Sequence, residues 1–203
     1  MSEPRPPKQE QLPASDEIVE VAPNILRTQL PISMPGLGHV NMYVLEDKRG
    51  VAVVDPGLPG FASWKALKTR LGAIGVPLKR VHSIIITHSH PDHFGGAARL
   101  RNETGADIIT HESFRLWYDP TEPDDVDVEN PSPHHPTWDN TPWGGDGFKF
   151  PLRRRLYYQL HRSIPTLFPS PRPTVRLAEG EHISLANREW VAIHTPGHTA
   201  DHL

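Results

Sequence analysis

Residues 87–96 read Thr-His-Ser-His-Pro-Asp-His-Phe-Gly-Gly, directly behind the apolar run Val81-His82-Ser83-Ile84-Ile85-Ile86. The run is short and rich in β-branched residues, which predicts a buried strand ending at the cluster. A buried strand fixes where the next loop begins. His88 and His90 are two positions apart and project the same way in extended chain. Pro91 turns the backbone, so that Asp92 and His93 face a second position. Imidazoles and a carboxylate gathered in this way, in a chain without cysteine, form a donor set suited to zinc, iron or manganese. A protein with 13 histidines carries isolated ones by chance. Chance explains neither this spacing nor the strand that feeds it.

The run from His88 to His93 resembles the metal-binding signature of the metallo-β-lactamase superfamily. Val51-Ala52-Val53-Val54-Asp55-Pro56-Gly57 resembles that family's early strand ending in an aspartate. Thr195-Pro196-Gly197-His198-Thr199 resembles its third motif, which supplies a further metal histidine. The resemblance covers about residues 20–203 and implies an α+β fold, the αββα sandwich of that family. It also implies two divalent ions, with zinc first and iron or manganese as alternatives. His88, His90 and His198 would hold one ion, and Asp92 and His93 the other. Asp92 would also be catalytic, shuttling a proton to the leaving group. Asp55 would accept a hydrogen bond from a ligating imidazole and fix its tautomer, although Asp-Pro-Gly is good turn chemistry in its own right. A metal-bound hydroxide, formed because the ion lowers the pKa of water from 15.7 to about 7, would attack an ester, thioester, lactone or amide carbonyl.

One departure from the family pattern stands out. Members carry two further ligands after the third motif, a bridging aspartate and a later histidine. Here five residues follow His198, and Asp201 and His202 match the tail of the third motif instead. The expectation is therefore a chain lacking the C-terminal part of the domain, with an incomplete second sheet. Such a chain should hydrolyse esters more slowly than one extended through the later motifs.

Elsewhere the pattern predicts a polar, proline-rich and disordered tail over 1–17, then a domain over 18–203. Ile18–Leu26 could hold a first strand, and Leu30–Gly38 reads as a loop. His39–Glu46 and Val51–Val54 read as strands joined by a hairpin turn at Asp47–Gly50. Phe61, Trp64, Leu67, Leu71 and Ile74 recur at helical spacing, which places a helix over 60–74. A second helix is expected over 95–104 and a strand over 106–110. Residues 119–173 hold 11 of the 23 prolines and read as a cap-like insertion over the site, with a helix over 151–162. His182–Leu185 and Glu189–Ile193 read as a hairpin that leads toward His198.

With 21 basic and 24 acidic residues the net charge is −3, so no global basic field draws the chain to nucleic acid. No run of residues approaches the roughly 18 needed to span a membrane. A cytoplasmic protein with a small-molecule substrate is the expectation; the oligomeric state is not set by the pattern. Three readings compete with a carbonyl hydrolase. One is a phosphodiesterase or ribonuclease on the same fold, which residues 195–202 resemble. Another is an iron enzyme that oxidises persulfides. The last is an inactive metal-binding fragment.

Overall fold

The computed structural model describes residues 8–34, 36–116 and 171–203, together with Leu152 and Leu156. Seven strands form one sheet in the order of the chain. β1 (Ile18–Ala22), β2 (Ile25–Met34), β3 (Leu37–Asp47) and β4 (Gly50–Val54) make an antiparallel meander. β5 (Val81–Ile85), β6 (Asp107–His111) and β7 (Val175–Leu177) then add in parallel to β4. Helix α1 (Phe61–Ala73) connects β4 to β5. A short helix α2 (Pro91–Phe94) and α3 (Ala97–Thr104) connect β5 to β6. β8 (His182–Leu185) and β9 (Arg188–Val191) form a separate two-stranded sheet.

Alternation along the central strands assigns each face. Leu30, Met42, Val44, Val53, Ile84 and Ile86 point to one side, where they pack with Trp64, Leu67, Leu71 and Leu100 of α1 and α3. Each such side chain, fully buried, contributes about 1.5–3 kcal/mol. Ile25, Leu45 and Ala52 point to the other side and meet Leu185 and Ala186 of the β8–β9 hairpin. Helices therefore cover one face and the small second sheet begins to cover the other, as in an α+β sandwich of the expected kind. The β8–β9 turn is tight: Ala186 and Asn187 both take positive φ, 52° and 58°, the backbone that a two-residue hairpin turn demands.

Several expectations change. The segment Ile18–Leu26 is two strands, because Asn24 turns the chain with φ 64° and its N–H donates to Glu20 Oε1 at 3.1 Å. The expected loop over 30–38 is strand: β2 runs through Pro31 to Met34, and β3 starts at Leu37. Pro31 lies past Thr28, the last β2 residue paired with Ile18 of β1. There β2 has one neighbour only, which is where a strand tolerates proline. Residues 8–17 do not behave as a free tail. The Leu12 carbonyl accepts from His39 Nδ1 at 2.8 Å, and the Arg70 guanidinium donates to the Asp16 carboxylate. The helix expected from Gly95 starts at Ala97, after the separate turn of α2. Phe61, expected in the buried stripe, is 78% exposed, whereas Trp64, Leu67 and Leu71 are buried. The 119–173 insertion and its 151–162 helix lie outside the described residues, apart from 171–173 and the exposed helical residues Leu152 and Leu156. No helix among the described residues is long and apolar enough to cross a membrane.

Candidate metal centre

Open α/β sheets place ligands beyond the carboxyl ends of parallel strands, and the sequence-predicted residues gather there. β4 ends at Val54 and delivers Asp55, while β5 ends at Ile85 and delivers Thr87 and His88. Asp55 takes φ 56°, a left-handed conformation that Asp and Asn tolerate better than other side-chain-bearing residues. That conformation turns the carboxylate across to the neighbouring loop. Its Oδ1 accepts from the Thr87 backbone N–H at 2.9 Å, and its Oδ2 accepts from the Thr87 hydroxyl at 2.8 Å. Oδ2 also accepts from His93 Nδ1 at 2.8 Å.

These bonds fix tautomers. The single Thr87 hydroxyl hydrogen goes to Asp55, so Thr87 Oγ1 must accept from His88 Nδ1, 2.9 Å away. His88 Nε2 is thereby left as an acceptor, with its lone pair facing His90. It lies 3.2 Å from His90 Nδ1. One donor atom each from His88, His90 and His198 lie within 4.8 Å of one another. Two nitrogens about 2.0–2.1 Å from a tetrahedral zinc ion would be roughly 3.3 Å apart, so the His88–His90 separation fits a shared ion. His93 turns its other nitrogen to Asp92, with Nε2 3.4 Å from Oδ2. His88, His90 and His198 thus form one donor group, and His93 and Asp92 face each other beside it, with the His93 and His88 ring centroids 4.0 Å apart.

The electrostatics divide along the same line. Burial, reinforced by the imidazoles of His93, His90, His198 and His202, pushes His88 down to about 2. Burial and then His198 push His90 down to about 4, and burial with His202 and His93 lowers His198. These three are neutral near pH 7, with lone pairs available. Burial alone would also depress His93, but hydrogen bonds to Asp55 and Asp92 override it and raise His93 to about 10. Burial would raise Asp92, but its hydrogen bond to His93 brings it below the usual carboxylate range.

Gly95 and Gly96 allow the two loops to touch. A Cβ on Gly96 would lie 2.4 Å from the Pro56 carbonyl oxygen, and one on Gly95 would lie 2.0 Å from Pro59 Cδ. The Gly96 N–H donates to the Gly57 carbonyl at 2.9 Å. Gly96→Ala should therefore cost about 1–3 kcal/mol, the usual range for overpacking, read as a lower urea midpoint. An unchanged midpoint would show that the two loops are not locked together.

Sequence reasoning missed Thr87, Ser89, Asp201 and His202. Ser89 Oγ donates to Asp201 Oδ1 at 3.2 Å, and the His202 ring centroid lies 5.0 Å from that of His88. The signal available was position alone: Thr87 and Ser89 flank His88. His194, four residues before His198, stacks on His111 with centroids 3.9 Å apart.

The profile of the metallo-beta-lactamase superfamily matches residues 35–203. A hydroxyacylglutathione hydrolase of Albidiferax ferrireducens is 35% identical over 78 residues, which cover 38% of this chain and 28% of that protein. A metal-dependent hydrolase of Agrobacterium fabrum is 31% identical over 84 residues, 40% of this chain and 32% of the relative. The crystal structure of a metallo-beta-lactamase family protein from Thermus thermophilus superposes with a TM-score of 0.62 at 23% identity, covering 90% of this chain and 55% of that one. A subclass B3 metallo-beta-lactamase of Bradyrhizobium japonicum gives 0.60 at 20% identity, covering 95% and 56%. The matched stretch is thus about a third or less of each of these two curated relatives, and a little over half of each solved chain. The structural matches speak for the fold alone.

Proposed function

Because the chain belongs to the metallo-beta-lactamase superfamily, we propose that it carries the metal site of a metal-dependent hydrolase that cleaves a small-molecule carbonyl ester, with a thioester as the leading substrate class. The observation that carries this reading is the convergence of His88, His90 and His198, whose donor atoms lie within 4.8 Å of one another. Nitrogen and oxygen donors without any thiolate suit zinc. His88, His90 and His198 would hold one ion, and Asp92 with His93 a second. Bound there, a divalent ion supplies Lewis acidity and brings the pKa of water from 15.7 to about 7.

The side chains do the rest. Asp55, acting through Thr87, holds His88 Nδ1 protonated and its Nε2 open. Asp55 also holds His93 Nδ1, so that Nε2 is the atom His93 presents. Asp92 is kept ionised and can take up a proton at Oδ2 and return it to a leaving group. A carboxyl held below its ordinary range is a weak proton donor near pH 7. That favours leaving groups that need little protonation, such as a thiolate of pKa near 8.5, over an amine. The name of the Albidiferax ferrireducens relative, a hydrolase of hydroxyacylglutathione, supports the same class.

The test is thiol release from an S-acyl glutathione by zinc-reconstituted and chelator-treated protein, with a phosphodiester as comparator. Turnover of the thioester that needs metal is the expected result. Metal-dependent cleavage of the phosphodiester with the thioester untouched would overturn the substrate assignment.

A further inference from the structure

One buried carboxylate beside the centre is not used by the proposed ligand set. Asp201 is 4% exposed, and it lies three residues beyond His198. Its Oδ1 accepts from the Ser89 hydroxyl at 3.2 Å, and Ser89 sits between His88 and His90. Its Oδ2 has no hydrogen-bond partner among the described residues. The backbone around Asp201 is held from both sides. The Leu203 N–H donates to the Thr87 carbonyl at 2.9 Å. His194 donates from Nε2 to the Ala200 carbonyl at 2.7 Å while its ring stacks on the buried His111.

A carboxylate taken out of water costs several kcal/mol, and the Ser89 hydroxyl, at 3.2 Å, returns about 1–1.5 kcal/mol of it. Fold stability does not account for Asp201. Its position does, because it joins the two loops that bring imidazoles to one place. We propose that Asp201 is a positioning residue of the metal centre: by holding the Ser89 hydroxyl, it locks the loop carrying His88 and His90 to the loop carrying His198. The three nitrogens are thereby preset before an ion arrives. The inference rests on the metal reading of the histidine cluster.

The experiment measures Co²⁺ affinity by competition with a chelator, alongside the urea midpoint of the metal-free protein, in wild type, Asp201→Ala, Asp201→Asn, Ser89→Ala and the Asp201→Ala, Ser89→Ala double variant. Partners that orient metal ligands are worth about 10–100-fold in affinity. Asp201→Ala and Ser89→Ala should each lose that much, and the double variant no more than either alone. Asp201→Asn keeps an oxygen for Ser89 and should stay within about threefold of wild type. The metal-free midpoint of Asp201→Ala should not fall, since removing an ill-matched buried charge is neutral or stabilising. Wild-type affinity in Asp201→Ala or Ser89→Ala would overturn the assignment. So would equal loss in Asp201→Asn and Asp201→Ala, which would make charge and not the tether responsible. Failure of the wild type to bind cobalt at all would remove the metal reading as well.

Discussion

His88→Ala and His198→Ala should each lower first-site metal affinity by about a thousandfold or more, because removing a ligand exceeds the 10–100-fold effect of removing a partner that only orients one. The two variants should nevertheless differ in stability. His88 is 3% exposed and bonded to Thr87, so its removal opens a cavity and strips the Thr87 hydroxyl of its donor. A core truncation of this size costs about 2–5 kcal/mol. His198 is exposed, and its removal should leave the urea midpoint of the metal-free protein within about 0.5 kcal/mol of wild type. Loss of metal at unchanged stability is thus the expected signature of His198→Ala. Chelator competition gives the affinity and denaturation gives the midpoint, on the same preparations. Wild-type metal affinity in His198→Ala would detach the third motif from the centre and reduce the site to a stretch of local sequence.

The parts of this site legible in the sequence are those fixed by local rules. A β-branched run followed by closely spaced imidazoles predicts a strand end bearing ligands, and β5 with His88 and His90 has that form. Asp55 was legible as a partner of a ligating imidazole through the resemblance of Val51–Gly57 to the family's early strand ending in an aspartate. Its bond to His93 was not assigned, nor was its action on His88 through Thr87, since both depend on the left-handed turn at Asp55. Asp201 and Ser89 are 112 positions apart, and their pairing belongs to tertiary structure alone. The errors in the fold have a similar origin. Proline and glycine over 30–38 read locally as a loop. Strand pairing overrides that reading because Pro31 lies past the end of β1, where no second ladder is interrupted. Phe61 matches the helical period, yet it is the first residue of α1 and stays 78% exposed, while Trp64 in the same turn is buried.

The same geometry makes Asp55 the residue whose loss should most damage the protein without removing a ligand. Asp55→Ala leaves the Thr87 N–H and the His93 Nδ1–H without their acceptor, in surroundings where the Asp55 side chain is 7% exposed and that of His93 is 22%. Breaking a buried charged pair from one side costs about 3–5 kcal/mol. Alanine at φ 56° is strained as well. Asp55→Asn tolerates that backbone and keeps one acceptor oxygen, but cannot match the charge on His93. Its effect should therefore depend on pH in a defined direction. The folded protein holds the His93 proton more tightly than the unfolded chain does, at about 10 against 6.5. The stabilisation is complete below 6.5 and is lost as pH rises through about 10. In Asp55→Asn the folded value moves back toward 6.5, so the variant should trail wild type by a few kcal/mol near pH 7. The gap should close by pH 11, where His93 is neutral in both proteins. Urea unfolding of the chelator-treated proteins between pH 6 and 11 measures it. A gap that stays constant across that range would mean that Asp55 acts through backbone geometry alone, and that the His93 charge contributes nothing to holding the empty site in shape.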